Sequence, residues 1–205
     1  MTDIGHKTLS LHDRRRLLLA STSPFRRELL MRLQLPFEVL APCADETPWP
    51  DEQPPVLAAR LAESKARSIA QREPGTLVIG SDQVAVLEGD ILGKPGDYER
   101  AVAQLSRASG KTLMFYTGLC LIDSDSGRRQ VDVVPFRVVF RTLTPAQISN
   151  YLHREQPYQC AGSFKSEGLG IALFERLEGD DPSSLIGLPL IRLIRMLEAE
   201  GVSVV

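Results

Sequence analysis

The stretch LLLASTSPFRREL, residues 17–29, decides the fold class. Its four leading apolar residues are bounded by turn-forming residues, which is typical of a short buried strand. Ser23 followed by Pro24 predicts a helix start, because a serine oxygen caps the first free amides and the fixed φ of proline suits the first helical position. The residues FEVL at 37–40 then predict a second strand. A strand, a helix and a strand in this order predict a parallel pair in an α/β domain.

The rest of the chain continues the alternation and then changes to long strands. We expect a long loop at 41–55, a short strand at 77–79 that ends in a Gly-Ser turn before Asp82, and a small hairpin at 84–92. An antiparallel pair follows at 111–123 and 128–143, and a glycine-bearing loop with a last strand at 160–178. Helices are predicted at 56–72, 97–108, 145–153 and 188–200. The predicted fold is an elongated mixed sheet flanked by helices, with a central cleft and a β-hairpin lobe.

Composition limits the classes of function. Of the 205 residues, 43% are apolar, and the net charge is −2, which excludes a global basic field for a nucleic acid polymer. Residues 1–13 are polar and lack the apolar core of a signal peptide, so we expect a flexible tail before a single domain at 14–205. No apolar run predicts a membrane span. The cysteines show no CxxC spacing, and we expect reduced thiols in a cytoplasmic protein.

Polar residues that could bind a ligand or take part in catalysis follow several predicted strands. Ligands of α/β sheets bind beyond the carboxyl ends of the strands, so these residues predict a local anion site. Each also has an ordinary interpretation: a capped helix with solvated arginines, a turn aspartate, a solvated loop acid, an exposed helix lysine or a surface turn. The candidates are Ser23, Arg26, Glu46, Lys65, Asp82, Gln83, Lys94 and Glu167.

Common catalytic motifs are missing. The segment GDILGK is not a P-loop, since only three residues separate Gly89 from Gly93 and Pro95 stands where Ser or Thr is required. There is no GxGxxG or GxSxG sequence. Two of the three histidines lie in the predicted tail, which disfavours a catalytic triad or a zinc site. Oxygen ligands remain, and they favour a hard cation such as Mg²⁺ or Mn²⁺.

Eight segments together resemble the Maf family of nucleoside triphosphate pyrophosphatases. The resemblance covers Leu17 to about Glu200 and implies a Maf/ITPase-like fold. In chain order the segments are LASTSPFRRELL, ADET, ESKA, IGSDQV, GKP, FYTGL, AGSFKSEGLG and LEGDDPSSLIGLPL.

The resemblance implies a reaction and roles for individual residues. Water would attack the α–β phosphoanhydride of a nucleotide substrate and release a nucleoside monophosphate and pyrophosphate. Asp82 would accept the proton of the water, and Glu46 would hold Mg²⁺ or Mn²⁺. A homodimer is a further expectation. The residues implied to bind phosphate are Ser23, Arg26, Lys65 and Lys94.

Three positions imply a substrate. Phe25 stands where the family pattern SPRR has its first arginine, and Gln83 and Glu167 complete a set that resembles the branch hydrolysing 7-methyl-GTP. Methylation at N7 makes guanine cationic, and a cationic ring favours an aromatic face and a carboxylate. Two alternatives stay open at this point: hydrolysis of dTTP and UTP, which Phe25 disfavours, and a nucleotide-binding regulator without turnover.

Overall fold

The computed structural model describes residues 15–205, so the predicted tail at 1–13 lies outside the described residues. A seven-stranded sheet has the order β2-β1-β3-β5-β6-β7, with β4 paired to β3. The strands are β1 (Arg16–Ala20), β2 (Glu38–Leu40), β3 (Thr76–Leu87), β4 (Asp90–Leu92), β5 (Thr112–Asp123), β6 (Arg129–Phe140) and β7 (Phe174–Glu178). β1 pairs in parallel with β2 and β3, and the other pairs are antiparallel. The predicted mixed α/β sheet is confirmed.

In the described part of the chain, six α-helices flank the sheet. They are α1 (Pro24–Met31), α2 (Pro54–Ala70), α3 (Tyr98–Ala108), α4 (Pro145–Glu155), α5 (Pro182–Ile186) and α6 (Leu190–Ala199). Short 3₁₀ turns occur at Ala161–Ser163 and Leu169–Leu173. The α1 start is confirmed: the Oγ of Ser23 accepts a hydrogen bond from the amide of Arg26 at 3.4 Å. Helix α5 was not predicted. Within residues 15–205, no helix combines the length and apolar character that crossing a bilayer requires.

Alternation along the strands divides the core between the two faces of the sheet. Leu17 and Leu19 of β1 pack with α1 and α6 on one face, whereas Leu18 and Ala20 pack with α2 on the other. A separate cluster lies towards α3 and α4 and contains five phenylalanines. They are Phe115, Phe136, Phe140, Phe164 and Phe174. The long hairpin of β5 and β6 is confirmed, and β5 contributes side chains to all three of these clusters.

The predicted turn at Gly80 and Ser81 is wrong, because β3 is a continuous strand of 12 residues. The glycine serves a close approach between α2 and the sheet. A Cβ at Gly80 would lie 2.1 Å from the carbonyl oxygen of Ala62, and a Cβ at Gly118 of β5 would lie 2.0 Å from that of Ala58. Glycine inside a strand often marks such a contact rather than a turn.

β1 and β4 pair with the same edge of β3 and leave a gap between them. β1 covers residues 76–80 of this edge and ends at Ala20, and β4 covers residues 85–87 and ends at Leu92. Residues 81–84 therefore have a partner only on the β5 side. We call this segment the open edge. The carboxyl ends of β1 and β4 point towards it from opposite sides, so the residues after each strand flank it.

Candidate functional site

A cleft of about 880 Å³ lies at the open edge and is lined by all nine residues for which a role was predicted. They come from α1, the loop before α2, α2 itself, β3, the turn after β4 and the loop after α4. The topology thus brings together positions separated by up to 144 places in the chain, from Ser23 to Glu167. The nine are Ser23, Phe25, Arg26, Glu46, Lys65, Asp82, Gln83, Lys94 and Glu167. Their chemical roles stay predictions.

Lys65 joins two carboxylates in the cleft. Its Nζ lies 2.5 Å from Oδ1 of Asp82 and 2.9 Å from Oε1 of Glu46. The side chains of Lys65 and Asp82 are 8% and 12% exposed, whereas that of Glu46 is 61% exposed. No donor from the described residues reaches Oδ2 of Asp82. Asp82 is therefore oriented through one oxygen and keeps the other for a ligand or a water molecule.

The strand period explains why Asp82 meets Lys65. Successive side chains of a strand point to opposite faces. Val78 packs on the α2 face, so Asp82, four residues later, faces α2 as well. Ser81 points to the other face, where its Oγ donates to the carbonyl oxygen of Gly187 at 2.9 Å. The ordinary interpretation of Lys65 as an exposed helix lysine is therefore wrong, because the residue is buried on the sheet-facing side of α2.

Arg26 and Lys94 bring cations to the cleft from its two flanks. Arg26 is half-buried, and its Nε donates to the carbonyl oxygen of Gly187 at 2.8 Å. Burial lowers the pKa of Arg26, and the carboxylates of Asp82 and Glu46 oppose that shift. An arginine nevertheless stays protonated in proteins. Lys94 is exposed, and neither cation forms a salt bridge with an acid of residues 15–205. Both remain available to an anionic ligand.

Ser23 has the ordinary role that the sequence left open for it. Its Oγ caps α1, and its own amide donates to Oγ of Ser21 at 3.1 Å. The hydroxyl is thus engaged in the helix start while the residue still lines the cleft. Phe25 follows in the first turn of α1 and is half-buried. The α1 start therefore presents an aromatic ring and a guanidinium to the same cavity.

The side-chain amide of Gln83 is held in place by several hydrogen bonds. Its Nε2 donates to Oγ1 of Thr117 at 3.1 Å and to the carbonyl oxygens of Ser184 and Leu185 at 2.9 and 3.0 Å. These contacts fix β3 to α5. Glu167, by contrast, is exposed on the loop after α4, where Oγ of Ser166 donates to its Oε2 at 3.2 Å.

The sequence did not identify every residue of the cleft. Lys165 lines it and pairs with Oε1 of Glu155 at 3.3 Å. Ile186 and Gly187 of the α5 end line it too, although they lie more than 100 places after Asp82 of β3 in the chain. Lys165 stands two places before Glu167, and this proximity was the signal available for it. For the α5 end, only the segment LEGDDPSSLIGLPL marked the region.

The cleft offers two carboxylates, Glu46 and Asp82, to the predicted divalent ion. Residues 15–205 contain no group of three His, Cys, Asp or Glu side chains placed to hold a metal. Glu46 and Asp82 share the ammonium of Lys65 instead. Mg²⁺ is often bound through one or two carboxylates together with substrate phosphates and water. The two carboxylates fit an ion of that kind, which arrives with a phosphorylated ligand.

Comparison with known proteins assigns the chain to a family. The sequence pattern of the Maf-like protein family matches residues 16–200. A protein of Nitrosococcus oceani called 7-methyl-GTP pyrophosphatase is 63% identical over 90% of this chain and 93% of its own length. Proteins of the same name from Polaromonas sp. and Alcanivorax borkumensis are 58% and 59% identical, over 92% and 91% of this chain and 86% and 94% of their own lengths. This chain belongs to the Maf-like protein family.

Proposed function

We propose that the protein is a nucleotide pyrophosphatase that hydrolyses 7-methyl-GTP and related modified nucleotides to the monophosphate and pyrophosphate. Relatives at 58–63% identity that carry the name 7-methyl-GTP pyrophosphatase support the substrate. The charged groups that line the cleft are the main support for a hydrolytic reaction. The cleft contains two cations without an acidic partner among residues 15–205 beside a carboxylate with an uncontacted oxygen.

The cations suit the triphosphate. Arg26 approaches from the α1 start and Lys94 from the turn after β4, so a chain of phosphates across the open edge would meet positive charge at both ends. Hydrogen bonds from charged donors to phosphate oxygens are short and strong. Lys65 would add a third cation from α2. Fixed positive charge around the reacting phosphate stabilises the charge that develops in the transition state.

Asp82 is proposed as the general base. Lys65 fixes Oδ1, and Oδ2 would accept the proton of the attacking water as its oxygen bonds to phosphorus and the phosphoanhydride bond breaks. The bridging oxygen leaves with pyrophosphate. Glu46, with the phosphates, would hold Mg²⁺ or Mn²⁺, an ion that screens phosphate charge when bound.

Phe25, Gln83 and Glu167 are proposed to select the base. A methylated guanine is cationic, so the ring of Phe25 and the carboxylate of Glu167 would both attract it. Gln83 would contribute through its position, because its amide is fixed to α5 by two hydrogen bonds and to β5 by a third. An arginine in place of Phe25 would repel the same base.

The test is a panel of nucleoside triphosphates assayed for release of pyrophosphate in the presence of Mg²⁺ or Mn²⁺. We expect kcat/KM to be highest for 7-methyl-GTP, and we expect GTP, dTTP and UTP to be poorer substrates. Preference for dTTP or UTP would favour the alternative specificity. Binding of 7-methyl-GTP without release of pyrophosphate would favour a regulator without turnover.

A further inference from the structure

We propose that Arg60 is a positioning residue that holds Glu46 at the cleft by clamping the loop between β2 and α2. Arg60 lies on α2 and does not line the cleft. The catalytic effect of Arg60 rests on the proposed function. The sequence predicted no role for Arg60. We call residues 47–52 together with Arg60 the loop clamp.

Arg60 makes a concentrated set of contacts with this loop. Its Nε and Nη2 donate to the two carboxylate oxygens of Glu52 at 2.6 and 2.8 Å. Nη2 also donates to the carbonyl oxygen of Thr47 at 3.0 Å. The guanidinium carbon lies 4.2 Å from the centre of the Trp49 ring, within the range of a cation–π contact. One side chain thus contacts three loop residues.

Burial makes the ionic part of the loop clamp effective. The side chain of Glu52 is 3% exposed and that of Arg60 is 15% exposed. The hydrogen bond from Arg60 is the main cause of a lowered pKa at Glu52. A forked pair of this kind needs the planar guanidinium, which lysine cannot replace. The contact is therefore specific for arginine as well as for positive charge.

The loop clamp acts next to Glu46 in the chain. The Thr47 carbonyl that Arg60 holds belongs to the residue directly after Glu46. The loop has no helix or strand between β2 and α2. Among residues 15–205, the exposed side chain of Glu46 has one ionic partner, Lys65, at 2.9 Å. Without Arg60, the part of the loop that follows Glu46 would lose the hydrogen bonds that tie it to α2. Small misplacements of a charged group at a reaction centre reduce rates strongly.

The experiment is a double-mutant cycle with a spectroscopic readout. Arg60→Lys and Arg60→Ala are each made in the wild-type and the Glu46→Gln backgrounds, and kcat/KM for 7-methyl-GTP is measured. Trp49 is the sole tryptophan of the chain, so acrylamide quenching of its fluorescence reports the loop directly. Arg72→Ala is the matched control, because Arg72 donates one hydrogen bond to the other end of the same loop, at the carbonyl oxygen of Ala41.

We expect Arg60→Lys to lower kcat/KM by about 10-fold when Glu46 is present and by less than about 2-fold in the Glu46→Gln background. Quenching of Trp49 should rise in both backgrounds, and Arg72→Ala should change neither quantity appreciably. If Arg60→Ala fails to fold, Arg60→Lys decides the result alone. Equal losses in the two backgrounds, or unchanged quenching, would overturn the inference.

The two readouts separate this inference from the proposed function. Quenching of Trp49 needs no substrate. A wild-type protein that does not hydrolyse 7-methyl-GTP contradicts the proposed function. In that case, unchanged quenching in Arg60→Lys still overturns the loop clamp, and increased quenching supports it.

Discussion

Gly118→Ala should both destabilise the protein and lower its catalytic efficiency. The added Cβ would lie 2.0 Å from the carbonyl oxygen of Ala58, and real Cβ contacts essentially never fall below 3.0 Å. Because the obstacle is backbone, α2 must move by about 1 Å or more, and close-packed interiors resist such shifts. We expect a loss of about 1–3 kcal/mol in the free energy of unfolding. Since α2 carries Lys65, we also expect kcat/KM for 7-methyl-GTP to fall on the order of 10²-fold.

Urea unfolding and steady-state kinetics measure the two effects of Gly118→Ala. Gly93→Ala is the control for stability, because a Cβ at Gly93 would meet no atom within 4 Å and the residue does not have a positive φ. An unfolding midpoint and a kcat/KM equal to those of the wild type would show that the close contact between α2 and β5 supports neither stability nor catalysis. That result would mean that Lys65 reaches Asp82 without the close approach of α2 to the sheet.

Three further outcomes are expected. Lys94→Ala should lower kcat/KM for every triphosphate tested, and an effect confined to one base would assign Lys94 to specificity instead. A triple variant at the specificity positions should lower the ratio of kcat/KM for 7-methyl-GTP to that for UTP by about 2- to 30-fold, the equivalent of one cation–π contact. Its changes are Phe25→Arg, Gln83→Lys and Glu167→Gln. Because the pKa of Glu52 lies below its ordinary value of 4.5, its contact with Arg60 stabilises the loop above that pH and is lost as the pH falls towards the lowered value. Trp49 fluorescence should change over that acid range, and Glu52→Gln should show the altered emission already at pH 7.

Local chemistry explains the parts of the fold that the sequence predicted well. The strand at β1, the cap at Ser23 and the long hairpin of β5 and β6 depend on residues close in the chain. Motifs recognised from a known family predicted nine residues that line one cleft. Their placement agrees with a common site.

Long-range packing accounts for what the sequence analysis missed. Gly80 followed by Ser81 has the composition of a turn, and only the approach of α2 shows why glycine is needed inside a strand. In the sequence, Lys65 has the pattern of an exposed helix residue. Only the fold shows that it lies opposite Asp82 of β3 and pairs with it. The role of Arg60 could not be predicted from the sequence, because its partner Glu52 is a loop acid outside any recognisable motif.

Comparison of Asp82→Asn with the wild type tests directly whether Asp82 acts as the general base. Asparagine keeps the shape of the side chain and removes its ability to accept the proton of the attacking water. We predict that the folded variant still binds 7-methyl-GTP and releases pyrophosphate at least about 10²-fold more slowly. Turnover close to that of the wild type in folded Asp82→Asn would contradict the account, because the water would then be activated by a group other than the carboxylate at the open edge.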